Sequence, residues 1–119
     1  MLIILLYHFY LDEVHNIVDK ACKEMAMEKM LKDLDVNWKD MEFTHEKHPR
    51  TGYTLLRTSE ELIETLEENQ VQLQNMMTSK FIGHFLEEIS GWQKTLCTVD
   101  TVITLWMDVQ RTWSLHYNN

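Results

Sequence analysis

The last third of this chain contains an unbroken alternation of mostly apolar residues spaced three and four positions apart. Such spacing keeps side chains on one face of an α-helix, because the helix completes a turn every 3.6 residues. The pattern predicts one helix over residues 80–114, about 50 Å long at ~1.5 Å per residue. Its members are Ile82, Phe85, Ile89, Trp92, Leu96, Val99, Ile103, Trp106, Gln110 and Trp113.

Large aromatic residues recur at one heptad position of this helix, at Phe85, Trp92, Trp106 and Trp113. These side chains are bulkier than the seam of a two-stranded coiled coil usually holds, so they favour a thick, irregular bundle. We therefore predict a packed structural helix in which Trp106 is the most important buried side chain. A second stripe, which indicates that more than one side is covered, comprises Leu86, Val102, Leu105 and Val109.

Residues 11–38 carry two apolar stripes that differ in phase, one up to Met25 and one from Met27 to Trp38. The change of phase predicts a kink or two abutting helices. Residues 1–10 are apolar but shorter than the ~20 residues that a spanning helix needs. They also lack the basic segment and cleavage site of a signal peptide, so a buried helix start or an odd truncation is favoured over a membrane anchor.

A β-hairpin is predicted at about residues 40–57. Met41 and Phe43 alternate with polar residues, and the turn "HPRTG" separates them from the β-prone "GYTLLR". Pro49 suits a type I turn, and Gly52 can adopt the left-handed conformation that closes the loop.

A further helix is predicted at about residues 59–77. Thr58 and Glu61 form a T-x-x-E capping box ahead of it. Asn69 and Gln70 interrupt its apolar face, either as buried amides that set the register of packing or as part of an exposed surface. The apolar face itself comprises Leu62, Leu66, Leu73 and Met77.

Together these elements predict a mainly α protein, an elongated helical bundle with one β-hairpin between the first and second helical segments. The scarcity of glycine (3) and proline (1) agrees with long helices. We expect a structural seam, the set of side chains that pack the helices together. Its predicted members are Trp38, Phe43, Leu66, Leu73, Phe85, Trp92, Ile103, Trp106 and Trp113.

No catalytic, cofactor-binding or metal-binding residues are predicted. A formal charge of −8 argues against nucleic-acid binding, which requires clustered Lys and Arg. The phosphate-binding motif GxxxxGK[ST] and the nucleophile motif GxSxG do not occur. His45 and His48 are close in sequence, but surface or hairpin-edge positions are favoured over a metal site. Cys22 and Cys97 are expected to be reduced core thiols.

Several motifs closely resemble the linker (N-terminal region 2) of dynein heavy chains, most nearly the axonemal outer-arm type. The resemblance covers about 100 of the 119 residues. Residues 1–10 match the family poorly and residues 115–119 follow the last motif, so we expect either truncation or a gene-model boundary at both ends. The motifs are "W..MEF" at Trp38 and 41–43, "HPRTG" at 48–52, "LEENQVQLQNMM.SKF" at 66–81 and "VQRTWS" at 109–114.

The resemblance implies a mechanical element in residues 11–114. In such motors the linker arches over a ring of AAA+ modules and couples ATP hydrolysis to minus-end-directed movement on microtubules and to ciliary beating. The implied partners are that ring, the rest of the linker, the intermediate and light chains, and microtubules, in the cytoplasm, cytoskeleton and axoneme of a cilium or flagellum. ATP and Mg would bind in the parent ring, because none of the family's nucleotide motifs lies in this stretch; no membrane partner is implied.

A second hypothesis is a freestanding helical scaffold or coiled-coil adaptor. The predicted hairpin at about residues 40–57 discriminates between the two, because three-helix repeats contain no such element.

Overall fold

The computed structural model describes residues 1–118. The overall dimensions are 87 × 21 × 20 Å, so the predicted mainly α, elongated architecture with a hairpin between the first and second helices is confirmed. A short 3-10 helix precedes the last α-helix. The elements are α1 (Leu2–Lys39), β1 (Thr44–Lys47), β2 (Thr54–Arg57), α2 (Glu60–Met77), the 3-10 helix (Ile82–His84) and α3 (Leu86–Asn118).

Helix α1 runs for 38 residues through the change of phase, where we predicted a kink or two abutting helices. It also begins at Leu2, well ahead of the predicted start near residue 11. The segment contains no Gly or Pro to break it. One continuous helix therefore spans both stripes, and the alternative of two abutting helices is wrong. Across residues 1–118, no helix combines the length and the apolar character that crossing a membrane requires.

Only the second half of α1 packs against the remainder of the protein. Met27, Leu31 and Leu34 are buried, whereas every residue from Met1 to Lys23 is exposed. The predicted buried start of this helix is therefore wrong: its first half projects beyond the packed body.

The two strands pair antiparallel, with His45 opposite Leu56 in the register. The turn between them has Gly52 at φ +72°, which confirms the predicted left-handed glycine. The backbone N–H of Gly52 donates to the carbonyl of His48 at 3.0 Å and closes the loop.

Helix α2 is capped by Ser59 instead of Thr58. The Ser59 hydroxyl accepts a hydrogen bond from the Leu62 N–H at 3.1 Å, and its extended backbone (φ −84°, ψ 150°) suits an N-cap. Glu60 and Glu61 lie in the first turn, near the positive end of the helix dipole.

The buried core is a line of apolar residues from all three helices. They are Met27, Leu31, Leu34, Leu62, Leu66, Leu73, Ile89, Leu96 and Ile103.

Helix α3 begins at Leu86, somewhat later than predicted, because the 3-10 helix occupies the preceding residues. Three threonines on α3, Thr95, Thr98 and Thr101, donate their hydroxyls to carbonyls one turn earlier, each at 2.9 Å.

Candidate functional site: the hairpin joint

The hairpin is attached to α3 along the free edge of β2; we call this attachment the hairpin joint. His48 N–H donates to the Tyr53 carbonyl at 2.8 Å, which makes that pair hydrogen-bonded. Hydrogen-bonded and non-hydrogen-bonded pairs alternate along an antiparallel ladder, so the His45–Leu56 pair is non-hydrogen-bonded. The N–H and C=O of Leu56 therefore point away from β1.

Gln110 of α3 satisfies both of these backbone groups. Its Oε1 accepts from the Leu56 N–H at 2.7 Å, and its Nε2 donates to the Leu56 carbonyl at 2.8 Å. The side-chain amide thus takes the place of a residue of a third strand. Trp106, one helical turn earlier, donates its indole Nε1–H to the same Oε1 at 3.0 Å and orients the amide.

A second attachment lies at the turn of the hairpin. His48 is only 8% exposed, and its Nδ1 accepts from the N–H groups of Arg50 and Thr51, each at 3.3 Å. Its ring meets Trp113 edge to face at 5.3 Å between centroids, and Tyr53 meets Trp113 at 5.9 Å. The hairpin is therefore attached to α3 at two places.

Two apolar grooves flank the joint. The first has a volume of about 610 Å³ and lies between Tyr53 and Leu55 of the hairpin and Val109 of α3. The second, of about 440 Å³, lies on the other side, beside Phe43. Trp106, Thr54 and Val102 line both grooves.

The structure distributes the predicted seam over three environments. Leu66, Leu73 and Ile103 are buried in the core. Trp113 is half-buried at the hairpin joint, away from the core cluster. The remaining aromatic residues that pack against the core are Trp38, Phe85 and Trp92.

Trp106 and Phe43 are exposed, at 55% and 37%. The expectation that Trp106 is the most important buried side chain is therefore wrong. Val102, Leu105 and Val109 are also exposed, because no described element covers that side of α3.

Other polar residues also differ from expectation. Asn69 is buried at 7%, which favours the buried-amide alternative, and its Nδ2 has no hydrogen-bond partner. Cys22 and Cys97 are free but exposed, so they are not core thiols. Both histidines lie in the hairpin, where His45 is exposed on β1 and His48 is buried at the turn. Within residues 1–118, no three His, Cys, Asp or Glu side chains are grouped to hold a metal ion.

The periodicity did not identify Gln110 as the residue that attaches the hairpin to α3. The available signal was a single amide in an apolar position of an otherwise regular alternation. A glutamine there suggests a polar partner, but the partner lies 54 residues away and the alternation cannot identify it. The arrangement fixes the position of a hairpin against a long helix.

Residues 1–117 match the family model described as dynein heavy chain, N-terminal region 2. This match includes residues 1–10, for which the sequence motifs gave no support. The chain is 67% identical over 107 residues to the ciliary dynein beta chain of Tripneustes gratilla. It is 62% identical over 107 residues to dynein axonemal heavy chain 17 of Mus musculus.

A more distant similarity, 38% identity over 107 residues, links the chain to the dynein alpha chain of the flagellar outer arm of Chlamydomonas reinhardtii. Each of these three matches covers 90% of this chain. The chain spans about 2% of the length of these curated relatives.

Proposed function

The chain belongs to the dynein heavy chain family, and from this premise we propose that it is a segment of the linker, the lever of an axonemal motor. In this proposal the lever couples ATP hydrolysis in an AAA+ ring to minus-end-directed movement on microtubules and to ciliary beating. ATP and Mg bind in the ring of the parent motor, and this segment supplies no group to that chemistry.

The observation that carries the proposal is the hairpin joint. A lever transmits force only if its parts keep their relative positions under load. The joint supports this by holding Leu56 through two hydrogen bonds at 2.7 and 2.8 Å and the turn through the Trp113 ring. Hydrogen bonds with this geometry are directional, so they resist sliding of the hairpin along α3.

The proposed partners are those of the parent motor. The ring and the remaining linker of the same heavy chain would contact this segment directly. Intermediate chains, light chains and microtubules would be linked to it through the whole complex. The proposed location is the axoneme of a cilium or flagellum, within the cytoskeleton.

The test is Gln110→Ala in a full-length axonemal heavy chain, with Gln74→Ala as the matched control. Gln74 is exposed on α2, so the control removes the same amide without affecting the joint. We expect Gln110→Ala to slow microtubule gliding while ATP hydrolysis per motor is retained, because the lever is loosened and the ring is intact. The control should match the unmodified motor in both measurements.

Two results would contradict the lever function. In one, Gln110→Ala leaves the gliding speed unchanged although hydrogen exchange shows that the hairpin has loosened. In the other, gliding and ATP hydrolysis fall by the same factor, which would place the effect in the ring.

A further inference from the structure

The exposed first half of α1 carries a heptad stripe that the packed body does not use. Its residues are spaced alternately three and four apart, and all are exposed. Apolar residues at this 3.5-residue average spacing are typical of the a and d positions of a coiled coil. We call this stripe the α1 seam; it comprises Ile4, Tyr7, Leu11, Val14, Val18, Ala21 and Met25.

The α1 seam faces away from the body. Met27, Leu31 and Leu34 mark the face of α1 that packs into the core. At ~100° per residue, the centre of the α1 seam lies roughly 160° around the helix from that face. The protein's own core therefore does not cover the α1 seam. Its last two members, Ala21 and Met25, line a groove with His84 and Phe85 of the body. A second helix can lie along the seam from Ile4 to Val18 without meeting the body.

The surface is large enough for a stable pair of helices. The α1 seam continues onto Ile3, Tyr10 and Ile17, which are 81%, 61% and 66% exposed and occupy the flanking g positions. Nine large apolar side chains, at roughly 100 Å² each, supply about 900 Å² per partner. A standard protein interface buries ~800 Å² on each side.

The flanking residues allow the α1 seam to pair with itself. From Met1 to Leu11 the chain contains no Asp, Glu, Lys or Arg, so like charges do not oppose each other there. Further along, Glu24 occupies a g position and Lys29 the following e position. These opposite charges face each other across the interface when two copies run parallel and in register.

We infer that two copies of this chain associate through the α1 seam as a parallel coiled coil. The two bodies then lie on opposite outer sides of the helix pair. This inference rests on the exposed half of α1 alone and does not depend on the proposed lever function.

Sedimentation of the full 119-residue chain at increasing concentration tests the inference. We expect a species of twice the 14.3 kDa monomer mass. Val18→Asp places a charge in the α1 seam and should weaken association at least tenfold. Asn16→Asp, the matched control, adds a charge at an f position on the opposite side of the helix and should leave association unchanged.

Cysteine labelling provides a second measurement that does not depend on the folding of a variant. Cys22 is exposed at an e position beside the α1 seam, and Cys97 is exposed on α3. Maleimide labelling of Cys22 should slow at concentrations where the chain is a dimer, whereas labelling of Cys97 should not change.

Orientation is tested with Tyr7→Cys in a chain that also carries Cys22→Ser and Cys97→Ser. In a parallel in-register pair the two introduced thiols meet and form a disulfide under mild oxidation. A dimer that forms no such disulfide would overturn the parallel arrangement. A chain that remains monomeric at tens of micromolar would overturn the inference. Equal association of Val18→Asp and Asn16→Asp would also overturn it, because the contact would then lie elsewhere, for example in the grooves of the hairpin joint.

Discussion

The side-chain amide of Gln110 holds both backbone hydrogen-bonding groups of Leu56, a residue 54 positions earlier in the chain. A single side chain therefore fixes the edge of the hairpin to a helix that lies far along the chain. The residue is half-buried, so water competes only partly for these groups.

The first prediction concerns the chemistry of that amide. Gln110→Glu keeps an acceptor for the Leu56 N–H but replaces the donor to the Leu56 carbonyl with a charged oxygen. We expect a loss of about 1–3 kcal/mol in the free energy of unfolding, the usual cost of an unpaired polar group. Faster hydrogen exchange at the Leu56 amide should accompany it, and exchange at the core residue Leu96 should change much less. A wild-type exchange rate at Leu56 would show that the contact does not hold the hairpin.

The second prediction compares the stability contributions of a core residue and an exposed aromatic residue of α3. Leu96 is 0% exposed, so Leu96→Ala should cost about 2–5 kcal/mol through the cavity it leaves. Trp106 is 55% exposed, and Trp106→Ala should cost about 1 kcal/mol, chiefly from its hydrogen bond to Gln110. Chemical denaturation of both variants measures the two values. A larger loss for Trp106→Ala would mean that this face is covered in solution.

The third prediction concerns the unpaired amide in the core. Asn69→Leu removes a buried Nδ2 that has no partner and should raise the stability by about 1 kcal/mol. Such amides can set the register of packed helices, so the variant should also unfold less cooperatively, over a wider range of denaturant concentration. Asn75→Leu on the exposed side of α2 serves as the control and should change stability little. If Asn69→Leu lowers stability, the amide has a partner in solution, such as water.

The fourth prediction concerns the turn. His48→Ala removes the acceptor for the Arg50 and Thr51 N–H groups together with the ring packed against Trp113. We expect a loss of about 1–3 kcal/mol and faster hydrogen exchange at Thr51. His48→Asn should restore part of the loss, because an Asn oxygen can accept from the backbone two residues on. If the two variants behave identically, the acceptor is unimportant and only the ring packing matters.

Periodicity predicted the helices because their long, regular alternation dominates local preferences. Leu66, Leu73 and Ile103 could be assigned to the packed face from spacing alone. Spacing could not decide whether Trp106 is covered, because an apolar stripe is identical in sequence whether or not a partner element lies over it. The same ambiguity applies to the start of α1, whose apolar residues suggested burial but are exposed.

The contact between the hairpin and α3 could not be predicted from the sequence. Pro49 and Gly52 identified the turn, since only particular residues fit its backbone angles. Nothing local links Leu56 to Gln110, because their contact depends on how the hairpin lies across α3. The cap at Ser59 was missed for a related reason: Thr58 and Ser59 are both competent, and the backbone path selects between them.

The threonine hydroxyls on α3 have a consequence for how the helix deforms. The carbonyls of Gly91, Lys94 and Cys97 each accept a hydroxyl in addition to their helical role. Hydroxyls that bond back in this way compete with the backbone ladder and often bend helices. We therefore expect α3 to bend between residues 91 and 101 under load. The attached hairpin should then move together with the part of the helix that follows residue 101.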